Sequence, residues 1–279
     1  MTANNYDFEQ RYSLRKEIEE SVILSIILER TDLEKRLTKK ALAVLQYVFT
    51  EMVNNAIDHS EGKELRISFD ANKEAVTFFI EDDGIGLFEK VRNAFNLENT
   101  LYAAEKVIEG KTTTDPERHS GEGIFFSSKA VDFFAIEANK LLLEIDNRKS
   151  DVDIKESTRS KGTKITFSIP IHTSVVLLDL FAEYTNKTTF AFEKTKILIK
   201  LFTVATSFVS RSEARRLLTG LDTKFTYIVL DYKKVEGVGQ GFVDEIYRVF
   251  KKRHPEIEIE SINMNKAVSF MIKRGEAHK

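Results

Sequence analysis

From Lys39 to His59 apolar side chains recur at the i, i+3, i+4, i+7 spacing of one helix face, through Leu42, Leu45, Val48, Phe49, Met52, Val53, Ala56 and Ile57. Thr38 stands where an N-cap would open that helix. The opposite face carries Glu51, Asn55 and Asp58 or His59. The first sixty residues as a whole read as helical, with Val22, Leu24, Ile27 and Leu28 as an earlier apolar set. The period then shortens to two. LRISFD and AVTFFIED alternate apolar and polar and are parted by a polar turn from Ala71 to Glu74, which predicts two antiparallel strands.

The pattern weakens between Phe88 and Ser120, where a helix is expected around Asn93 to Val107 and the polar run KTTTDPERHS reads as a mobile loop. GEGIFFSSKAVDFF opens as a glycine turn and continues with helical spacing, and LLLEIDN and KITFSIP add two strands. After a connecting stretch from Thr173 to Phe192 a second pattern begins. TKILIKLF, FTYIVLDY and IEIESIN read as strands, with SEARRLLTGL and GFVDEIYRVFKKRH as the helices between them. A chain of 279 residues exceeds the roughly 100 to 200 of one domain. We therefore expect a first domain over 1–172, a connector over 173–191 and a second domain over 192–279.

Composition narrows the class. Hydrophobic residues at 42% beside charged residues at 31% suit a folded chain and not a disordered tail. Forty-two basic against 44 acidic residues leave a net charge of −2, so no global field draws the chain to nucleic acid or to an anionic membrane. The absence of Cys excludes disulfides, thiolate metal sites and thiol catalysis, and fits a reducing compartment. The greasiest stretch, SVILSIILERTDL, is interrupted by Glu29 and Arg30, and the N-terminal residues lack an apolar signal core. The expectation is a cytoplasmic protein without a membrane partner.

Candidate chemistry lies in four blocks: FTEMVNNAIDHS, EDDGIGL, HSGEGIFFSSK and KGTKITF, about thirty to forty residues apart. The Walker pattern is absent. Each block alone has an ordinary reading, as a solvated helix face or a strand-ending turn. Together, in this order and at these element boundaries, they resemble the N box, G1 box, G2 box and terminal Gly-Thr of the gyrase, histidine-kinase and MutL ATPase superfamily, over roughly Asp32 to Pro170. That resemblance implies an α/β fold, a Bergerat-type ATP-binding domain with helices on one face of a mixed sheet, and it implies ATP and Mg2+ as the bound cofactors.

Carried onto this chain, the resemblance makes Glu51 the general base and Asn55 the Mg2+ ligand. Side chains at i and i+4 stand one above the other, about 6 Å apart, which suits a base and a metal ligand that address one triphosphate. Asp82 matches the acceptor for the adenine amino group, Gly84 and Gly86 the turn beneath the base, and Thr163 the hydroxyl that joins the adenine contact. Gly121 and Gly123, with Ile124 following, match the phosphate-facing turn, and Arg118 and His119 stand just before it as contacts from a closing lid. Asp58 and His59 complete the set, although His59 also suits a capping or packing role at a helix end.

The stretch from about Phe192 to Lys273 resembles a smaller α/β domain, a STAS-like domain of unknown function found behind such ATP-binding domains in bacterial proteins. In the broader STAS fold a phosphorylatable Ser opens the helix after the central strand. Here Gln240 and Gly241 occupy that place, which argues against partner switching by phosphorylation. The glycines Gly237, Gly239 and Gly241 lack dinucleotide spacing and suit a packing turn or contact surface. Arg211, Arg215 and Arg216 suit a solvated helix face or an acidic partner.

Three functions remain open: a nucleotide-operated regulator with slow ATP hydrolysis or phosphoryl transfer, a serine/threonine kinase of the anti-sigma-factor type, and a non-catalytic ATP sensor. An orthodox histidine kinase is disfavoured because no His precedes the N box. No helix-turn-helix or basic stripe points to DNA. The expected partners are an adenine nucleotide and a protein bound through the STAS-like domain, which includes self-association as a homodimer.

Overall fold

The computed structural model describes residues 7–14, 19–110, 122–184, 196–201, 208–218, 221 and 225–276. The chain divides into two compact units, Met1–Glu183 and Tyr184–Lys279. In the first, β1 (Phe8–Ser13) precedes helices α1 (Glu20–Arg30), α2 (Leu33–Arg36) and α3 (Lys39–His59). Strands β2 (Glu64–Ala71) and β3 (Ala75–Asp82) follow, then helices α4 (Leu87–Ala94), α5 (Thr100–Glu109) and α6 (Gly123–Ala130). Strands β4 (Phe133–Ala138), β5 (Leu141–Asp146), β6 (Asp151–Glu156) and β7 (Thr163–Pro170) complete the sheet, and α7 (Leu177–Tyr184) closes the unit.

The sheet runs β1-β2-β3-β7-β4-β5-β6. Every pairing is antiparallel, not mixed as expected from sequence. The physical reason is connectivity. Short turns join β2 to β3, β4 to β5 and β5 to β6, and β7 then enters between β3 and β4, antiparallel to both.

The helix α3 begins where Thr38 caps it, its hydroxyl accepting from the Ala41 N–H at 3.3 Å and donating to the Ile171 carbonyl at 3.0 Å. Its buried stripe is Ala41, Val44, Leu45, Val48, Phe49, Met52, Val53 and Ala56. Leu42 and Ile57 are half-buried at its margin, so the stripe is turned slightly from the one read in sequence. The stripe meets an aromatic seam. Phe49 packs edge-on to Phe78 (ring centroids 5.8 Å apart), and Phe78 stacks on Phe167 at 5.4 Å, across the β3–β7 pairing. The far face of the sheet is a ladder of charge, in which Arg66 pairs with Glu9 and Glu81 and Arg159 with Glu81 and Glu137. One face is thus covered by helices and the other is polar.

Several expectations change. The N-terminal segment contains β1, which pairs with β2, so it is not wholly helical. The helix expected near Asn93 to Val107 is two, α4 and α5, because Asn96 takes a positive φ of 50° and the Asn99 side chain caps α5 at the Tyr102 N–H. The helical spacing after Gly123 ends at Ala130 and gives way to β4. The loop expected at KTTTDPERHS lies outside the described residues.

In the second unit, β8 (Lys196–Lys200), β9 (Tyr227–Asp231) and β10 (Glu258–Ile262) form a parallel sheet with β9 in the middle. Helix α8 (Arg211–Leu218) precedes β9. Helical turns Gln240–Asp244, Glu245–Phe250 and Lys251–Arg253 run on from one another, the middle one with π-type hydrogen bonding. A last helix, Lys266–Glu276, is absent from the sequence reading.

Phe78→Ala should cost about 3 to 5 kcal/mol, because it opens the seam at a fully buried ring. Urea denaturation checks this, and a loss below about 1 kcal/mol would contradict the packing described.

Candidate functional site

Alternation along β3 decides which carboxylate is buried. Val76, Phe78, Ile80 and Asp82 share the helix-covered face, so Asp82 is the last inward position of the strand. On β7 the inward set is Thr163, Ile165, Phe167 and Ile169. The register that pairs Glu81 with Lys164 brings Asp82 and Thr163 side by side at one end of the sheet.

There the Asp82 carboxylate accepts from the Gly84 N–H at 2.9 Å and the Thr163 N–H at 3.3 Å, and the Thr163 hydroxyl also bonds to it. Burial raises the Asp82 carboxyl above the usual carboxylate range, and these hydrogen bonds oppose that rise. The Thr163 hydroxyl accepts from the Leu87 N–H at 3.0 Å, fixing the start of α4. Asp83, one residue on, faces outward and has a structural task. It accepts from the Lys63 and Glu64 N–H groups at 2.6 and 2.9 Å, and these bonds lower its pKa.

The end of α3 is stitched to this loop. The Ser60 carbonyl accepts from the Ile85 N–H at 3.0 Å, and the Gly84 carbonyl from the Gly162 N–H at 2.9 Å. A Cβ on Gly84 would lie 1.9 Å from the Ser60 carbonyl oxygen, so only glycine fits between the helix end and the strand. Gly86 has φ 89° and sits against Asn139, whose amide donates to the Ile85 carbonyl at 2.9 Å and accepts from the Glu89 N–H at 3.0 Å. Asn139 is a positioning residue missed in sequence. It lies in the two-residue turn between β4 and β5, where Asn139 and Lys140 both take positive φ, 50° and 66°. The turn lacks the Asn-Gly signature that would have announced it.

Two turns earlier on α3, Glu51 meets the first residue of α6. A Cβ on Gly123 would lie 2.0 Å from Oε2 of Glu51. The glycine turn and the helix-borne carboxylate therefore occupy one locality. Glu122 belongs to it as well, for both Glu51 and Glu122 act on the Tyr47 hydroxyl and, after burial, raise its pKa. Nine residues of helix separate Glu51 from Ser60, roughly 14 Å at 1.5 Å per residue, which is the scale of an extended nucleoside triphosphate. Asn55 lies between the two ends, half-buried, with Asp58 exposed and His59 half-buried on the last turn of the helix. Ile124 packs against the core. Arg118, His119 and Gly121 lie outside the described residues.

In the second unit Arg211 and Arg215 make ion pairs. Arg211 pairs with Asp244 at 2.7 Å, and Arg215 holds the buried Glu245 through two hydrogen bonds. A Cβ on Gly239 would lie 2.4 Å from the Val209 carbonyl oxygen, whereas Gly237 faces open space and Gly241 has ordinary contact distances. A packing turn thus accounts for Gly239 alone. Asp231, at the end of the central strand, accepts from the Lys233 N–H and the Asn263 amide.

A cavity of about 320 Å³ on the β5–β6 hairpin shares no residue with the Glu51 and Asp82 localities, and within it Asp146 pairs with Arg148 and Lys149 and Glu144 with Lys155. Among the described residues no three His, Asp or Glu side chains gather as a metal cage, and no helix is long and apolar enough to cross a membrane.

Comparison with known families gives two matches. Residues 42–173 match the family model of the histidine kinase-, DNA gyrase B- and HSP90-like ATPases. Residues 213–269 match that of a STAS-like domain of unknown function. No curated protein matches the chain.

Gly84→Ala should lower stability by about 2 kcal/mol or more, since a methyl group there meets backbone. Gly123→Ala should change it by less than about 1 kcal/mol, since the carboxylate it meets can rotate away. Thermal denaturation of the two variants checks the contrast, and equal losses would contradict it.

Proposed function

We propose, for a chain that joins a histidine kinase-, DNA gyrase B- and HSP90-like ATPase domain to a STAS-like domain, a Mg-ATP-binding regulator whose nucleotide state switches the STAS-like domain's availability to a protein partner. The supporting observation is the layout of α3. Its Glu51 end abuts Gly123 of the second glycine block, and its Ser60 end is sewn to the loop that holds Asp82.

In this reading Asp82 accepts the adenine amino group, with Thr163 beside it and Gly84 and Gly86 shaping the floor. The missing side chain at Gly123 lets the glycine turn approach the Glu51 carboxylate closely, and Glu51 polarises the attacking hydroxyl of water or of a partner residue. Gly121, Arg118 and His119 would complete the phosphate contacts, and Asp58 and His59 the rim of the site. Mg2+ takes few protein ligands and several oxygens from phosphate and water, so the Asn55 amide is a suitable single anchor and no carboxylate cage is needed. The ion would neutralise charge on the phosphates. Slow hydrolysis or phosphoryl transfer then resets the switch, and the second domain, over 192–279 behind the connector 173–191, carries the output.

Incubation of the protein with γ-labelled ATP and Mg2+ tests the catalytic part. Release of labelled phosphate, or label on protein, should occur and should fall by at least about a hundredfold in Glu51→Ala, the range of a lost general base. Asn55→Ala should abolish the Mg2+ dependence of ATP binding. Absence of any turnover beside normal ATP binding would leave a sensor and overturn the catalytic role of Glu51.

The pH dependence follows from Asp82. The folded chain holds its proton more tightly than an ordinary Asp, so acid favours the fold at this group, while the adenine amino group needs the ionised form. ATP affinity should weaken as pH falls through the raised pKa of Asp82, at higher pH than an ordinary Asp would cause. Asp82→Asn should bind at least about tenfold more weakly at neutral pH and lose that acid limb. Calorimetric titration across pH checks both, and an unchanged acid limb in Asp82→Asn would remove Asp82 from the adenine site.

A further inference from the structure

Contacts around the glycine-turn end of the site close into a ring that passes through the last helix of the first unit. Tyr47 lies one turn before Glu51 on α3, and its hydroxyl feels the charges of Glu51 and Glu122. The Tyr47 ring packs edge-on against Phe181 of α7, with centroids 5.2 Å apart. Phe181 in turn packs edge-on against Phe126 of α6 at 4.9 Å. Helix α6 begins at Gly123, and Gly123 returns the path to Glu51. One ring therefore rests at once on the helix that bears the carboxylate and on the helix that follows the glycine turn.

The element that supplies this ring is lightly held. None of the α7 residues is buried, and Leu178 is 78% exposed. Leu177 and Leu180 reach the core only in part. A short helix with no buried residue opens at low cost, and α7 is the segment from which the chain runs into the second unit.

We propose that Phe181 is a positioning residue of the nucleotide site, holding Glu51 and the start of α6 in register through Tyr47 and Phe126, so that the seating of α7 depends on the terminal phosphate. This rests on the ATP-site reading above. It assigns the coupling between nucleotide and second domain to a single aromatic side chain. Triphosphate binding steadies α6 against α3 and so tightens the cleft that receives Phe181. A diphosphate, which leaves the Glu51 end of the site without a partner, does not.

The test is calorimetry of the full chain with Mg2+ and either a non-hydrolysable ATP analogue or ADP. Phe181→Ala should weaken the triphosphate by about tenfold and ADP by less than about threefold, the scale of losing two edge-on ring contacts at one end of the ligand. Phe181→Trp, which keeps a ring, should restore the triphosphate affinity to within about threefold. The chain has no other Trp, so this variant also carries its own reporter. Its emission should shift with the triphosphate and stay constant with ADP. A folded Phe181→Ala with an unchanged ratio of the two affinities overturns the proposal. If that variant does not fold, Phe181→Trp decides, and constant emission at saturating triphosphate overturns it. Wild-type protein that binds neither nucleotide overturns the ATP-site reading instead.

Discussion

The aromatic seam between α3 and the β3–β7 pair is the constraint on which the rest of the first unit depends. Phe49, Phe78 and Phe167 fix the height and rotation of α3 over the sheet. With the helix set, its polar edge has no freedom to choose neighbours. Glu51 arrives at Gly123, and Ser60 arrives at Gly84. Aromatic packing, which recognises no ligand, thereby determines which neighbours the two ends of the candidate site meet. The absence of a side chain at Gly84 and Gly123 is the complementary condition, because at either point an added methyl group would contest space already filled by backbone or carboxylate.

Much of this was legible in the sequence, and the reasons are local. The 3.6-residue period of α3 and the two-residue period of β3 are strong over many positions, so the helix, its cap at Thr38 and the inward placement of Asp82 all follow from pattern. What escaped notice depends on contacts between distant segments. Strand β1 is recognisable only once its pairing with β2 is known. Strand β4 was hidden because VDFFAIEA has no two-residue alternation strong enough to end the preceding helix, and its turn is made by Asn-Lys. For the same reason Asn139 could not be named beforehand, as its importance comes from reaching across to Ile85 and Glu89. The Tyr47, Phe181 and Phe126 ring contacts join three helices and leave no trace in any one window of sequence.

The second unit presents a different balance. Arg215 pairs with the buried Glu245 and Arg211 with Asp244, so these two cations are engaged within the unit. The buried hydroxyl chain of Tyr232, Tyr247 and Ser261 ties the central and edge strands to the long helix.

The position of β7 bears on how the protein comes into being. It is the last strand of its sheet in the chain, yet it lies between β3 and β4, and it supplies Thr163 to the Asp82 pocket. Until it is inserted, β3 and β4 have no common neighbour and the Asp82 carboxylate lacks the N–H and hydroxyl donors of Thr163. A partly synthesised or partly folded first unit therefore has an incomplete Asp82 pocket, since long-range pairing of this kind is slow to form. Any ligand held there binds the finished unit alone, so its free energy of binding adds to the stability of that state. Closure of the sheet and completion of the Asp82 pocket are one event.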